Sequence, residues 1–401
     1  MTGLSLGPRA VCLQPIGTIF INAIHMMVTP VIFTAILCAV LSVNDLKKMR
    51  KVSIHAVMIY VACMAVAAII GVSVASFIKP GASFHPALTA VPTISKAPSF
   101  IHIIENIIPR SPIMALANEH VIQIVFFALI LGFAIRLSGE SAKLVSDFFK
   151  AFSVVVFKLA AIIVSFAPYG IFALIAWTFG SFGFQAVIPL IKFVGTVYLG
   201  CLLQIIFVYM LTFFLFSKLN PFTFLKAISA AITFAFTTSS SAATLPLSIK
   251  CAEKKLGVPP SIARFLLPLG SSFNLNGLSI YLSVAVIFAA NIYGIHLSFS
   301  GYFTVISTIV LTAMGAAAVP GSALIIMGGV RSSVGIPLGA LALIAGVDRL
   351  NDMAQTATNV IGDLFSATLV ADNEGVLDRK KWQESLDTAQ SEVGNNSPID
   401  V

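Results

Sequence analysis

Long apolar runs separated by short polar intervals dominate the chain. Runs at about 14–43, 53–79, 116–137, 141–181 and 185–218 each suffice to cross a bilayer, whose core of about 30 Å takes roughly 20 apolar residues per helix. Several exceed about 25 residues, which predicts tilt or a bend. The stretch from Pro80 to Pro112 is polar and proline-rich and reads as an exposed loop with short broken helices. Beyond Pro221 the apolar runs shorten and are broken by Ser, Gly, Pro, Asn and Asp. After Ala371 the chain turns polar, and residues 377–401 read as a solvated cytoplasmic tail.

Two of the breaks are alike. Residues 237–246, TTSSSAATLP, interrupt the segment 222–251, and residues 315–322, GAAAVPGS, interrupt 301–330. Each places small residues and a proline mid-segment, so two half-length helices meet at a non-helical tip. Such backbone is tolerated at membrane depth only when buried in protein or lining a wet cavity. Paired, broken hydrophobic segments point to the binding site of a transporter. Small-residue helix packing would explain either break alone but not the matched pair.

The last apolar segment, about 338–371, carries Asp348, Arg349, Asp352, Gln355, Thr356, Asn359 and Asp363. Counted from Asp352, the spacing puts Gln355, Thr356, Asn359 and Asp363 within a roughly 100° arc of one helix face. Each acid at bilayer depth costs about 2.5–3.5 kcal/mol, so intramembrane acids are functional or paired to a group that is. An ion pair of Arg349 with Asp348 or Asp352 would account for two charges and leave Asp363 and the amides unexplained. Residues 270–277, GSSFNLNG, interrupt a further apolar segment at 259–291. Amide, carbonyl and carboxylate oxygens of this kind suit a hard cation such as Na⁺ better than a transition metal.

Composition agrees with a lipid-solvated protein. Of 401 residues, 58% are hydrophobic and only 10% charged, with mean hydropathy +0.99, whereas soluble domains carry about 25% charged residues. The net charge of +8 comes from short basic clusters between apolar spans: Lys47, Lys48, Arg50 and Lys51, then Lys250, Lys254 and Lys255, then Arg379, Lys380 and Lys381. The positive-inside rule puts these in the cytoplasm and excludes nucleic acid as a partner. The five cysteines are scattered, without metal-ligand spacing or the even count of a disulfide framework. The N-terminus lacks the pattern of a cleavable signal peptide. An enzyme is excluded: Ser239 to Ser241 have no histidine in a comparable context, and His25 and His55 have no acidic companions in sequence.

At these residues the chain resembles the dicarboxylate/amino acid:cation symporter family, the glutamate-transporter family. The SSSAATLP tip, the LPLGxxxNxxG break, the VPG tip and the D-x-x-x-T-x-x-N-V-x-G-D run occur in the family's order and spacing, from about residue 14 onward. The resemblance implies an all-α polytopic protein of the inner (plasma) membrane, here with about seven spanning helices and two re-entrant helical hairpins, assembled as a homotrimer. The family's first helix is absent from this reading. Residues 1–52 would be a scaffold helix, 53–80 a transport-domain helix, and 81–184 an extracellular loop with two scaffold helices. Residues 185–376 would form the transport domain, with hairpins at about 221–253 and 301–333, and 377–401 the tail.

The family's binding residues carry over to positions of this chain. Asp352 would take the α-amino group of the substrate, and Asn359 with Ser240 and Ser241 its α-carboxylate. Gln355, Thr356, Leu278, Val319, Gly321 and Ala323 would complete the substrate cavity. Gly270, Asn274, Asn359 and Asp363 would hold one Na⁺. A second would lie under the second hairpin, held largely by carbonyls near Ser272, Leu275, Ala313, Met314, Gly315 and Ala316. No organic cofactor is implied; membrane lipid and a small-molecule substrate are the partners.

Three departures from the family shape the expected substrate. Acidic-substrate members place Arg at the position of Gln355 and Thr at that of Leu278. An uncompensated buried carboxylate costs about 3–5 kcal/mol, so Na⁺-coupled uptake of a small neutral amino acid by an elevator motion is the first expectation. The alternative is a glutamate, aspartate or C4-dicarboxylate symporter coupled to Na⁺ or H⁺, with Arg349 binding the side-chain carboxylate. The third departure is Asn276 in place of an Asp, with Cys63 and Met64 replacing hydroxyl residues beside Tyr60; fewer coupled cations are expected.

Overall fold

Helices follow the apolar runs. The computed structural model describes residues 7–42, 46–82, 84, 108–118, 120–182, 185, 187–295, 297–314, 323–327, 330 and 343–382. After a 3₁₀ turn at Gly7–Leu13 come α1 (Gln14–Ser42) and α2 (Leu46–Ile78), then a short α3 (Pro112–Ala117) and α4 (Val121–Leu137). The run expected at 141–181 is two helices, α5 (Lys143–Ser165) and α6 (Ala167–Phe182), bent by 47°. The bend falls just before Pro168, where proline removes a backbone donor. Helix α7 (Val187–Leu203) continues through two π-helical stretches, Gln204–Met210 and Phe213–Ser217.

The first broken segment comprises α8 (Pro221–Ala227), α9 (Ser229–Thr238) and α10 (Ser241–Lys254). Asn220 caps α8 by accepting from Phe222 N and Thr223 N, and Pro221 occupies the first helical position, where its missing N–H costs nothing. A 57° bend separates α8 from α9. The next break is equally local: α11 (Pro260–Phe273) and α12 (Asn276–Ile292) are separated by Asn274 and Leu275, both outside helical geometry. Helix α13 (Phe299–Ala313) leads to the second tip, and α14 (Asp348–Asn373) closes the fold. The expected loop 80–112 and second tip 315–322 fall mostly or wholly outside the described residues.

Among the described residues, three helices are long and apolar enough to cross a membrane, or up to five if each bent pair is one span. Helix α14 is not among them, because it carries Asp348, Arg349, Asp352, Asp363 and Asp372 among its apolar residues. It is nevertheless enclosed over most of its length: every residue from Ala354 to Ala371 is buried. It packs against α2, α7, α9, α10, α11 and α12. The polar stripe read from the sequence therefore meets protein rather than lipid. Among the described residues the architecture is all-α.

The start of the expected tail is exposed from Asp378 to Lys381 but anchored to the helices beneath it. Asp378 N donates to Gly257 O at 2.9 Å, and Arg379 binds Asp372 Oδ1 at 2.7 Å. Trp382 is buried, stacked on Phe224 at 6.5 Å between ring centroids and edge-on to Phe213 at 6.1 Å. This segment fastens the end of α14 to both feet of the first broken segment.

Candidate substrate and cation site

The first tip is built by two serines with opposite backbone roles. Ser239 ends α9 in the left-handed region (φ +52°), and Ser240 caps α10 with its Oγ accepting from Ala243 N at 3.2 Å. The chain thus reverses within two residues, leaving the buried Ser239 Oγ without a partner and Ser241 in the first turn of α10. Both α9 and α10 pack on α14, which brings this tip to the polar helix. The guanidinium of Arg349 donates to Thr238 O at 3.4 Å, directly at the tip.

On α14, Asp352, Gln355, Thr356, Asn359 and Asp363 are all buried. Thr356 Oγ1 lies 3.5 Å from Asp352 Oδ1, and Gln355 Nε2 has no acceptor. Asn359 Oδ1 accepts from Gly277 N at 2.7 Å, and Asp363 Oδ1 accepts from Asn274 Nδ2 at 3.1 Å. These two bonds stitch α14 to the break between α11 and α12. Glycines make the approach possible. A Cβ on Gly277 would stand 2.3 Å from Gln355 O, and one on Gly270 would stand 2.7 Å from Asp363 Oδ1.

The residues expected around the first cation therefore converge. Gly270 O, Asn274 Oδ1 and Asn359 Oδ1 each accept one hydrogen bond, from Asn274 N, Asn276 Nδ2 and Gly277 N, and sp² oxygens keep a second lone pair. A set made of carboxylate, amide and carbonyl oxygens fits a hard monovalent cation. For the second cation, Ser272 and Leu275 flank the same break, while Ala313 and Met314 end α13, which packs on α12. Gly315, Ala316, Val319 and Gly321 lie outside the described residues; Ala323 is buried.

The third, altered position is closed by neutral groups. Asn276 Nδ2 donates to Asn274 Oδ1 at 2.9 Å, Tyr60 donates to Leu266 O at 3.0 Å, and Gln204 Nε2 to Cys63 O at 3.3 Å. The carboxylate of Asp363 is the nearest charge in this chain of bonds.

Sequence reasoning missed several partners. Tyr281 donates to Asp348 Oδ1 at 2.9 Å; its one signal was a tyrosine one turn beyond Leu278 in an apolar helix. His55, which has no acidic neighbour in sequence, meets Glu374 at 2.8 Å, and Lys51 meets the other oxygen at 3.0 Å. That corrects the expectation for His55. Hydrogen bonds from Lys51 first, then His55, hold the Glu374 carboxyl below its ordinary range.

The family profile described as "Sodium:dicarboxylate symporter family" matches residues 1–373. The chain belongs to the sodium:dicarboxylate symporter family. Among its relatives, the proton/sodium-glutamate symport protein of Bacillus caldotenax is 34% identical over 395 residues, covering 94% of this chain and 91% of the relative. The proton/glutamate-aspartate symporter of Escherichia coli (strain K12) is 32% identical, covering 92% and 87%, and the C4-dicarboxylate transport protein of Bacillus subtilis (strain 168) is 33% identical, covering 94% and 90%. As a member of the sodium:dicarboxylate symporter family this chain is a multi-pass plasma-membrane protein and a cation-coupled transporter. The names of these relatives give no support to a neutral amino acid, the substrate first expected from Gln355 and Leu278.

Proposed function

We propose that this symporter carries an acidic amino acid or a C4-dicarboxylate into the cell together with Na⁺ or H⁺. The observation that carries the reading is Arg349 at the first tip, its Nη2 3.4 Å from Thr238 O. A guanidinium there supplies the positive charge that Gln355 does not, and it offers several donors in a planar fork suited to a carboxylate. The names of the relatives cited above, all glutamate, aspartate or C4-dicarboxylate carriers, support the same class.

In this proposal Asp352 binds the α-ammonium when the substrate has one. Asn359 and the Ser240–Ser241 tip bind the α-carboxylate, and Arg349 with Thr356 takes the distal carboxylate. Asp363, Asn274, Asn359 and the Gly270 carbonyl hold one Na⁺; Ser272, Leu275, Ala313 and Met314 contribute to a second. The same proposal takes the protein as a homotrimer whose transport domain moves as an elevator between the two membrane faces.

A second reading rests on one observation. Gln355 is 2% exposed with a free amide nitrogen, and Leu278 beside it is 3% exposed, a lining that suits a small neutral side chain. Competition against labelled glutamate uptake in proteoliposomes separates the two. Inhibition by glutamate, aspartate or malate, weakened several-fold (about 1 kcal/mol) by Arg349→Ala, is expected, because Arg349 is exposed and its pairing is screened by water. Inhibition by alanine and serine alone would reverse the order.

A further inference from the structure

Asp348 has no place in the site described so far, yet it is a carboxylate held in the protein's interior. It is 4% exposed and stands one helical turn before Asp352, at i, i+4 on the same face. Tyr281 of α12 donates to its Oδ1 at 2.9 Å, and Phe193 of α7 packs edge-on against that ring at 5.9 Å. The titratable and charged groups that face it are Asp352 and Arg349 on α14 and Tyr281 on α12. From α7 the hydroxyl of Tyr198 is committed to Leu350 O at 2.8 Å. A cavity of about 410 Å³ beside this turn is lined by hydrocarbon, including Ile175, Leu190, Val194, Leu343, Val347 and Leu350.

Two carboxylates one turn apart repel, and each loses hydration on burial. The amide groups at the start of α14 offset only part of this. The deficit matters most when substrate is bound. With Asp363 neutralised by its cation, Asp348, Asp352 and Arg349 sum to a charge of −1. An acidic amino acid, itself −1, brings the loaded site to −2. Either the second cation proposed above or, in its place, one proton returns it to −1, the charge of the empty site. Asp348 is the carboxylate left for that proton, because in the proposed complex Asp352 is engaged by the substrate ammonium, whereas Asp348 has the Tyr281 hydroxyl as its hydrogen-bond donor.

We propose that Asp348 is the proton-carrying group of this symporter, protonated with substrate on one side of the membrane and deprotonated on the other. This rests on the acidic-substrate reading above. A proton from bulk water adds to a carboxylate oxygen of Asp348, no bond to the substrate is made or broken, and the same proton leaves to water after translocation. Tyr281 positions the carboxyl and accepts from it or donates to it according to its state.

The test uses the full-length protein in proteoliposomes with equal Na⁺ on both sides and an inside-alkaline step of about one pH unit, which can drive about tenfold accumulation per coupled proton. Labelled glutamate should accumulate in the wild type and with Asp348→Glu, but not with Asp348→Asn. Substrate binding to the solubilised protein should vary with pH in the wild type and not in Asp348→Asn, a readout that a folding defect would not mimic and that a thermal melt checks. Accumulation by Asp348→Asn equal to wild type would overturn the proposal, as would a wild type that ignores the pH step while responding to a Na⁺ gradient; the latter leaves the acidic-substrate reading standing. Proton-driven uptake of alanine in place of glutamate, abolished by Asp348→Asn, would keep the proton site and overturn the substrate reading.

Discussion

Asn359 accepts the backbone N–H of Gly277 at 2.7 Å, so a polar side chain of α14 is bonded to the main chain in the first turn of α12. Gly277 has no room for a side chain: a Cβ would meet Gln355 O at 2.3 Å and Gln355 Cα at 2.6 Å. These are backbone atoms of a fully enclosed helix and cannot yield cheaply. Gly277→Ala is therefore expected to abolish uptake. Asn359→Ala removes the acceptor and leaves a buried N–H, which costs about 1–3 kcal/mol. Both effects are measurable as lost uptake and a lowered melting temperature of the purified protein.

Asp363 anchors the proposed cation through the break at Asn274. Replacing it with Asn removes the only formal charge among the proposed ligands while keeping an oxygen near Asn274 Nδ2, which now donates to it at 3.1 Å. Loss of one charge-assisted interaction is worth about 1.5–3 kcal/mol, so the Na⁺ concentration for half-maximal uptake should rise at least about tenfold. Gly270→Ala should act in the same direction, since its Cβ would press on the Asp363 carboxylate at 2.7 Å. Na⁺ titration of uptake checks both; an unchanged Na⁺ dependence in Asp363→Asn would remove Asp363 from the cation site.

Much of this site was legible because it violates the rules of its surroundings. Thr237 to Pro246, Gly270 to Gly277 and the stripe from Asp352 to Asp363 are polar where lipid-facing helices are apolar, and each became a break or a buried polar turn. Periodicity names a face but not its partner. The sequence therefore showed Asp348 without Tyr281, 67 positions away, and His55 without Glu374, 319 positions away. It allowed for a bend in the long run 141–181 without placing it before Pro168, and it missed the π-helical stretches Gln204–Met210 and Phe213–Ser217, where apolar periodicity does not separate π from α geometry. The burial of α14 on every side was likewise hidden, because polar residues normally mark an exposed face.

Gln355 and Leu278 are the two positions at which the lining of the cavity and the class of substrate pull apart. Gln355→Arg with Leu278→Thr places a guanidinium and a hydroxyl where an amide nitrogen now lacks an acceptor. Pairing a desolvated carboxylate is worth about 3–5 kcal/mol relative to leaving it unpaired. If Arg349 alone now carries that duty, the double variant should bind aspartate at least about tenfold more tightly and lose most of its dependence on Arg349. Competition assays in the wild type, the double variant and the triple variant with Arg349→Ala measure both quantities. No gain for aspartate in the double variant would count against the assignment of this end of the cavity.

The contact of Glu374 with Lys51 and His55 ties the end of α14 to the start of α2, and it makes a prediction about acid. The folded carboxyl is held below its ordinary value, so it contributes stability above the unfolded value of about 4.3, and that contribution is lost as the pH falls through the lowered folded value. Glu374→Gln removes this limb alone. Melting temperatures of wild type and variant should differ at neutral pH and converge in strong acid, and added salt should shrink the neutral-pH gap because Lys51 is largely exposed. A gap that persists undiminished into acid would mean that packing, rather than charge, makes the contact matter.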